Sequence, residues 1–172
     1  VLERGQIYES NSFALKSALV EMGITGIKIS RAIDDKQATL NALKNALEMS
    51  DVLLVSGGIS VGDYDFVGDS LRELGVEEVF YKVAQKPGKP LFFGTKGNKA
   101  VFALPGNPAS AMVCFYEYVF PALKQMMGFE KTNLLNIKAR LSHELKNRAP
   151  RACFYRGYVS GGEVKSLEGQ AS

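Results

Sequence analysis

The apolar positions of this chain recur alternately at the spacing of a helix and at the spacing of a strand. Phe13, Leu15, Leu19 and Met22 predict a helix over 11–22, opened by the cap residues Tyr8-Glu9-Ser10-Asn11 and closed by Gly23. Ile27 to Ile33 alternates apolar and polar residues and predicts a strand. Asp34 and Asp35 then offer a cap for a helix over 36–49, whose stripe is Ala38, Leu40, Leu43, Ala46 and Leu47. The short run 52–55 is mostly branched aliphatic residues and predicts a strand covered on both faces. A helix over 66–74 ended by Gly75, a strand from Val76 to Val83, and two strands, Leu91–Gly94 and Lys99–Leu104, joined by a turn, come next. Asn107-Pro108 opens a helix over 108–127 in which Pro121 predicts a kink. Phe115, Tyr116, Tyr118, Val119 and Phe120 of that helix read as core or subunit contact. Beyond residue 133 the period changes to short strand-like runs, Leu134–Leu141, Ala152–Val159 and Glu163–Leu167.

This order of elements predicts an α/β fold: a three-layer, mostly parallel sheet with flanking helices, followed by a partial β-barrel-like segment. A length of 172 residues accommodates one core and a smaller appendage, and 46% hydrophobic with 23% charged residues is the balance of a folded domain. The expected division is 1–128 for the α/β unit and 134–172 for an incomplete β unit. The net charge of +3 comes from scattered lysines, which argues against a nucleic-acid stripe. No apolar run reaches the roughly 18 residues of a membrane span. The first residues lack the form of a signal peptide, so the expected location is the cytoplasm. Cys114 and Cys153 form no CxxC pair and are expected to be buried, reduced thiols; the single His143 reads as a surface residue beside Glu144.

The chemistry concentrates where strands give way to loops. Ser56-Gly57-Gly58-Ile59-Ser60-Val61-Gly62-Asp63-Tyr64-Asp65 follows the apolar run, and its glycines permit a close backbone approach to a ligand. Asp63 and Asp65 can bind a metal or orient a proton, and Asp65 can equally cap the next helix. Lys82, Lys86 and Lys89 crowd into a loop stiffened by Pro87, Gly88 and Pro90, which suits an anion or a solvated turn. Pro105-Gly106-Asn107 precedes a helix whose amino-terminal amides suit a phosphate, although Asn-Pro is also a purely structural helix start. Ligands of open parallel sheets sit beyond the carboxyl ends of the strands, so Asp34/Asp35 and these loops can share one crevice. Carboxylates, lysines and helix amides describe phosphate-ester or phosphoanhydride chemistry better than hydride transfer or peptide hydrolysis. The single His143 lies far from these loops in sequence, so no Ser-His-Asp arrangement competes.

Four motifs in order, Gly5-Gln-Ile-Tyr-Glu-Ser-Asn11, Ser56 to Asp65, Lys86-Pro-Gly-Lys-Pro90 and Leu104-Pro-Gly-Asn-Pro108, resemble the molybdopterin molybdenumtransferase family, the MoeA and gephyrin E-domain group. The resemblance covers nearly the whole chain as a carboxyl-terminal portion. It implies insertion of molybdate into adenylylated molybdopterin with release of AMP, and Mg2+ as cofactor. By resemblance Asp34, Asp65, Lys82 and Lys86 fall on catalytic positions, with Asp34 and Asp65 as metal ligands. Ser56, Gly57, Gly58, Ser60, Gly62, Lys89, Pro105, Gly106 and Asn107 fall on the substrate crevice. The implied partners are a second copy in a homodimer, molybdopterin adenylyltransferase, and cofactor-accepting enzymes. The family's first strand of this domain and its two earlier subdomains precede the motif that starts at Gly5, so little activity is expected of the segment alone. A molybdopterin adenylyltransferase, or a non-catalytic pterin-binding or scaffolding module, are the competing expectations. The former carries Thr-Gly-Gly-Thr-Gly where this chain has Ser56-Gly-Gly-Ile-Ser-Val-Gly.

Overall fold

Asp35 accepts a hydrogen bond from the Ala38 amide, at 2.8 Å, and so starts helix α2, Lys36–Met49, where its side chain satisfies an otherwise orphan donor. The computed structural model describes residues 9–33, 35–59, 66–147 and 150–167. Before α2 lies helix α1, Asn11–Glu21. Its amino terminus is capped by the Glu9 carboxylate, which accepts from both the amide and the hydroxyl of Ser12. Those bonds hold the Glu9 carboxyl below its ordinary value. After α2 come strand β1, Val52–Ser56, helix α3, Phe66–Glu73, strand β2, Glu77–Tyr81, and the short strand β3, Gln85–Lys86. Strands β4, Phe92–Lys96, and β5, Lys99–Leu104, form the expected hairpin.

The main sheet has the order β1-β5-β4-β2. β1 and β5 are parallel, while β4 is antiparallel to both β5 and β2, so β1, β5 and β2 all run the same way. The alternation of β5 explains the three layers. Phe102 and Leu104 face a core built with Leu15, Ala18, Cys114, Phe115 and Val119, whereas Val101 and Ala103 face one built with Leu43, Leu47, Val67 and Leu71. β5 is therefore covered on both faces, and each of its residues from Ala100 to Leu104 is buried.

The long helix after β5 is helical from Pro108 to Met126 but not uniformly α. Helix α4, Pro108–Cys114, passes into a π turn, Phe115–Val119, and then helix α5, Phe120–Met126. At this π turn the Phe120 amide bonds to the Phe115 carbonyl ahead of Pro121, the proline that cannot donate. Phe115 and Val119 are buried, as the apolar pattern predicted.

Four expectations are corrected. Ile27–Ile33 forms no strand: a strand pattern becomes a strand only beside a neighbour, and among the described residues none pairs with it. Ile29 and Ile33 are consequently 48% and 74% exposed. Leu134–Leu141 pairs only through strand β6, Arg140–Leu141, and Leu135 is 90% exposed. The run Ala152–Val159 is split into β7, Ala152–Cys153, and β8, Gly157–Ser160. β8 forms a hairpin with β9, Glu163–Ser166, in a small sheet of order β6-β9-β8, whereas β7 leaves to pair with β3. Cys153 is only half-buried, with its thiol 3.2 Å from Asn147 Oδ1, because β7 lies at the surface. His143 is exposed, as expected, and its ring meets the hydroxyls of Ser142 and Ser166. Among the described residues no helix is long and apolar enough to cross a membrane.

Candidate functional site at the carboxyl edge of the sheet

The strand registers carry one row across the sheet, from Val55 to Ala103, Phe92 and Tyr81. The next residues outward are Ser56, Leu104, Leu91 and Lys82, and the Lys82 amide donates to the Leu91 carbonyl at 3.0 Å. Ser56 and Lys82 thus stand on the same edge, three interstrand spacings apart, or about 14 Å. Candidate residues that are distant in sequence share an edge because β1, β5 and β2 point the same way.

At the β1 end, Asn11 ties the loops together. Its Nδ2 donates to Ser56 Oγ at 2.6 Å and to the Gly106 carbonyl at 2.9 Å. The Gly57 amide donates to the Leu104 carbonyl at 3.1 Å, extending the β1–β5 ladder by one bond. Gly57 and Gly58 both have positive φ, at 83° and 70°, which turns the chain away from the strand in a conformation that side chains disfavour. A Cβ on Gly106 would lie 3.6 Å from the Gly57 Cα, so the two loops are in near contact. Pro105 is buried, and Ser56, Gly58, Gly106 and Asn107 are exposed. Asn107 acts as the helix cap, its Oδ1 accepting from the Ser110 amide at 3.1 Å and the Ser110 hydroxyl at 3.2 Å. Its capping carboxamide oxygen is therefore already engaged.

At the β2 end, Lys82 is the only residue other than glycine with positive φ among the described residues, at 67°, a costly conformation that clusters at functional sites. Its ammonium lies 5.0 Å from the centroid of the Tyr81 ring. Lys86 and Lys89 are exposed on a loop that includes a cis Lys86–Pro87 bond. The Val83 amide donates to the Lys89 carbonyl at 2.9 Å, so the loop returns on itself. Beneath it lies Gln85, whose Nε2 donates to the Pro87 carbonyl at 3.0 Å and whose Oε1 accepts from the Tyr118 hydroxyl. Burial raises the Tyr118 phenol above its ordinary value, and the neighbouring Cys114 and Glu117 add to that, so it remains a donor.

Burial also pushes the Cys114 thiol from 9.0 up to about 12. Because the folded value is the higher one, the contribution to stability is complete below pH 9.0 and is lost as pH rises toward about 12. The expected result is a decline in the denaturant midpoint across that window, at up to ~1.4 kcal/mol per pH unit. Cys114→Ala should flatten it, and an equally steep decline in that variant would assign the effect to other groups.

The edge therefore brings together Ser56, Gly57, Gly58, Pro105, Gly106 and Asn107 at one end, and Lys82, Lys86 and Lys89 along the other. Asp34, Ser60, Gly62 and Asp65, with Asp63, lie outside the described residues. Among the described residues no three His, Cys, Asp or Glu side chains gather as metal ligands. Two roles in the site are not written locally in the sequence. Asn11 stands in the sequence as a cap residue and as the end of the Gly5–Asn11 motif, but its burial and its bonds to Ser56 and Gly106 show only in the structure. Gln85 read as one polar residue of a loop.

A family described as a probable molybdopterin binding domain matches residues 1–125. The chain belongs to that family. The molybdopterin molybdenumtransferase of Haemophilus influenzae is 34% identical over 171 residues, covering 99% of this chain and 42% of the relative. The molybdenum cofactor synthesis protein cinnamon of Drosophila melanogaster is 34% identical over 151 residues, covering 86% of this chain and 25% of that protein. The crystal structure of a molybdopterin biosynthesis MoeA protein from Pyrococcus horikosii superposes with a TM-score of 0.81 at 33% identity, over 97% of this chain and 40% of that one. The chain thus spans less than half the length of these relatives, and the molybdopterin-binding family match ends at the long helix, within α5.

Proposed function

We propose that this chain supplies the pterin-binding edge of a molybdopterin molybdenumtransferase, in which molybdate is inserted into adenylylated molybdopterin to give the molybdenum cofactor and AMP. The observation that supports it best is the length and polarity of the edge. A glycine-lined end and a lysine-bearing end about 14 Å apart suit an elongated ligand with phosphate groups better than a compact one. Gly57, Gly58 and Gly106 let backbone approach the pterin side, with Ser56, Ser60, Gly62 and Asn107 as its other contacts and the buried Pro105 supporting the turn from within. Lys82, Lys86 and Lys89 neutralise charge on the phosphates, and ammonium groups placed where an anhydride breaks favour the departure of AMP. Asp34 and Asp65 are the carboxylates this reading reserves for Mg2+ and for orienting molybdate. Homodimer formation and transfer of cofactor to accepting enzymes belong to the same proposal.

Titration of the chain with adenylylated molybdopterin is expected to show saturable one-to-one binding. Lys86→Ala should weaken it about tenfold, the effect of one charge-assisted hydrogen bond to phosphate. An unchanged affinity in that variant would remove the lysine loop from the site. Saturable binding with no AMP released on adding molybdate would select the pterin-binding module over an active transferase segment.

A further inference from the structure

We propose that Gln85 and Tyr118 are positioning residues that fix the backbone presenting Lys86 and Lys89 to the phosphates of the ligand; this rests on the function proposed above. Gln85 is 2% exposed, and a carboxamide withdrawn from water is costly unless every polar atom is paired. Here both ends are paired, and one partner belongs to the loop. Nε2 donates to the Pro87 carbonyl and lies 3.6 Å from Cys114 Sγ, while Oε1 accepts from Tyr118 on the π turn. The Cys114 thiol in turn approaches the Gly88 carbonyl at 3.7 Å. Pro87 and Gly88, the two residues between Lys86 and Lys89, are thereby held to the long helix from below.

The other side of the loop is held by backbone. The Ala152 amide donates to the Ala84 carbonyl at 3.0 Å, and the Phe154 amide donates to the Lys86 carbonyl at 2.8 Å. With the Val83–Lys89 bond, the segment is clamped between the helix and β7. An apolar side chain of similar size at position 85 would fill the same volume at less desolvation cost, so packing does not explain an amide there. Control of the loop does. The two lysines act on long flexible stems, and a fixed backbone lowers the entropy lost when they close on an anion.

The test uses Tyr118→Phe in the full chain, with adenylylated molybdopterin as the probe. Hydrogen exchange of the Val83 and Phe154 amides, whose acceptors are the Lys89 and Lys86 carbonyls, should accelerate about tenfold, with the β5 amides unchanged. Affinity should fall several-fold, and adding Tyr118→Phe to a variant carrying both Lys86→Ala and Lys89→Ala should weaken binding no further, since Tyr118 acts through those two lysines. Unchanged exchange at the two loop amides, a uniform rise across the sheet, or simple additivity of Tyr118→Phe with the loss of both lysines would each overturn the positioning role while leaving the functional reading intact. Failure of the unsubstituted chain to bind the probe would overturn both.

Discussion

Gly88→Ala is expected to cost about 3 kcal/mol of stability, the sum of left-handed backbone strain and overpacking. Gly88 has φ of 91°, and a Cβ there would sit 2.5 Å from Cys114 Sγ and 2.8 Å from Gln85 Nε2. Neither neighbour can yield cheaply. Cys114 is fully buried in the core with Phe115 and Leu104, and Gln85 is held by Tyr118. Relief would come by lifting the loop off the helix, which breaks the contact between the Cys114 thiol and the Gly88 carbonyl. Thermal unfolding should shift down by roughly 10 °C for a chain of this size. Because the loop bears Lys86 and Lys89, affinity for adenylylated molybdopterin should fall in protein that remains folded. A shift of under about 2 °C would show that the loop has room that this packing denies it.

Gly58→Ala is expected to damage the opposite end of the edge by a similar amount, about 2–3 kcal/mol. Its φ is 70°, and a Cβ would lie 2.7 Å from Val67 Cγ2. Val67 is a β-branched residue on α3, buried in the core with Leu71, Leu43 and Phe92, so its methyl has no open rotamer to move into. The strain must therefore displace either α3 or the loop after β1. Gly57→Ala provides the contrast, because Gly57 has φ of 83° but open space around it. It should lose only the backbone term, ~1–2 kcal/mol. Equal losses in the two variants, measured by chemical denaturation, would rule out the Val67 contact as the cause of the difference.

Much of the fold was legible because its signals are local. The Asp35 cap and the leucine stripe placed α2 at residues 36–49, and the polar segment 95–98 placed the β4–β5 hairpin, although its turn proper is Gly97-Asn98, with Thr95 and Lys96 still paired in β4. Asn107-Pro108 placed the start of the long helix. Ile27–Ile33 shows where such signals stop. Its alternation is as regular as that of a true strand, yet a ladder is a property of two segments, and only one of them is written in those residues. The split between β7 and β8 has the same origin, since β7 is diverted by a partner, β3, that lies far back in the chain.

For the site, residue identity determined what chemistry was available: glycines where backbone must approach, lysines for an anion, an Asn-Pro helix start. The motif order pointed to the molybdopterin-binding family, which the family match bears out. Sequence could not state that Asn11 leaves its own helix to join Ser56 and Gly106, residues 45 and 95 positions away. Nor could it state that Gln85 and Tyr118, 33 apart, meet under the lysine loop. Hydrogen bonds of that kind depend on the directions of β1, β5 and β2, which are set by which strands pair. Local periodicity determined the elements, and only strand pairing decided that their loops open on one edge.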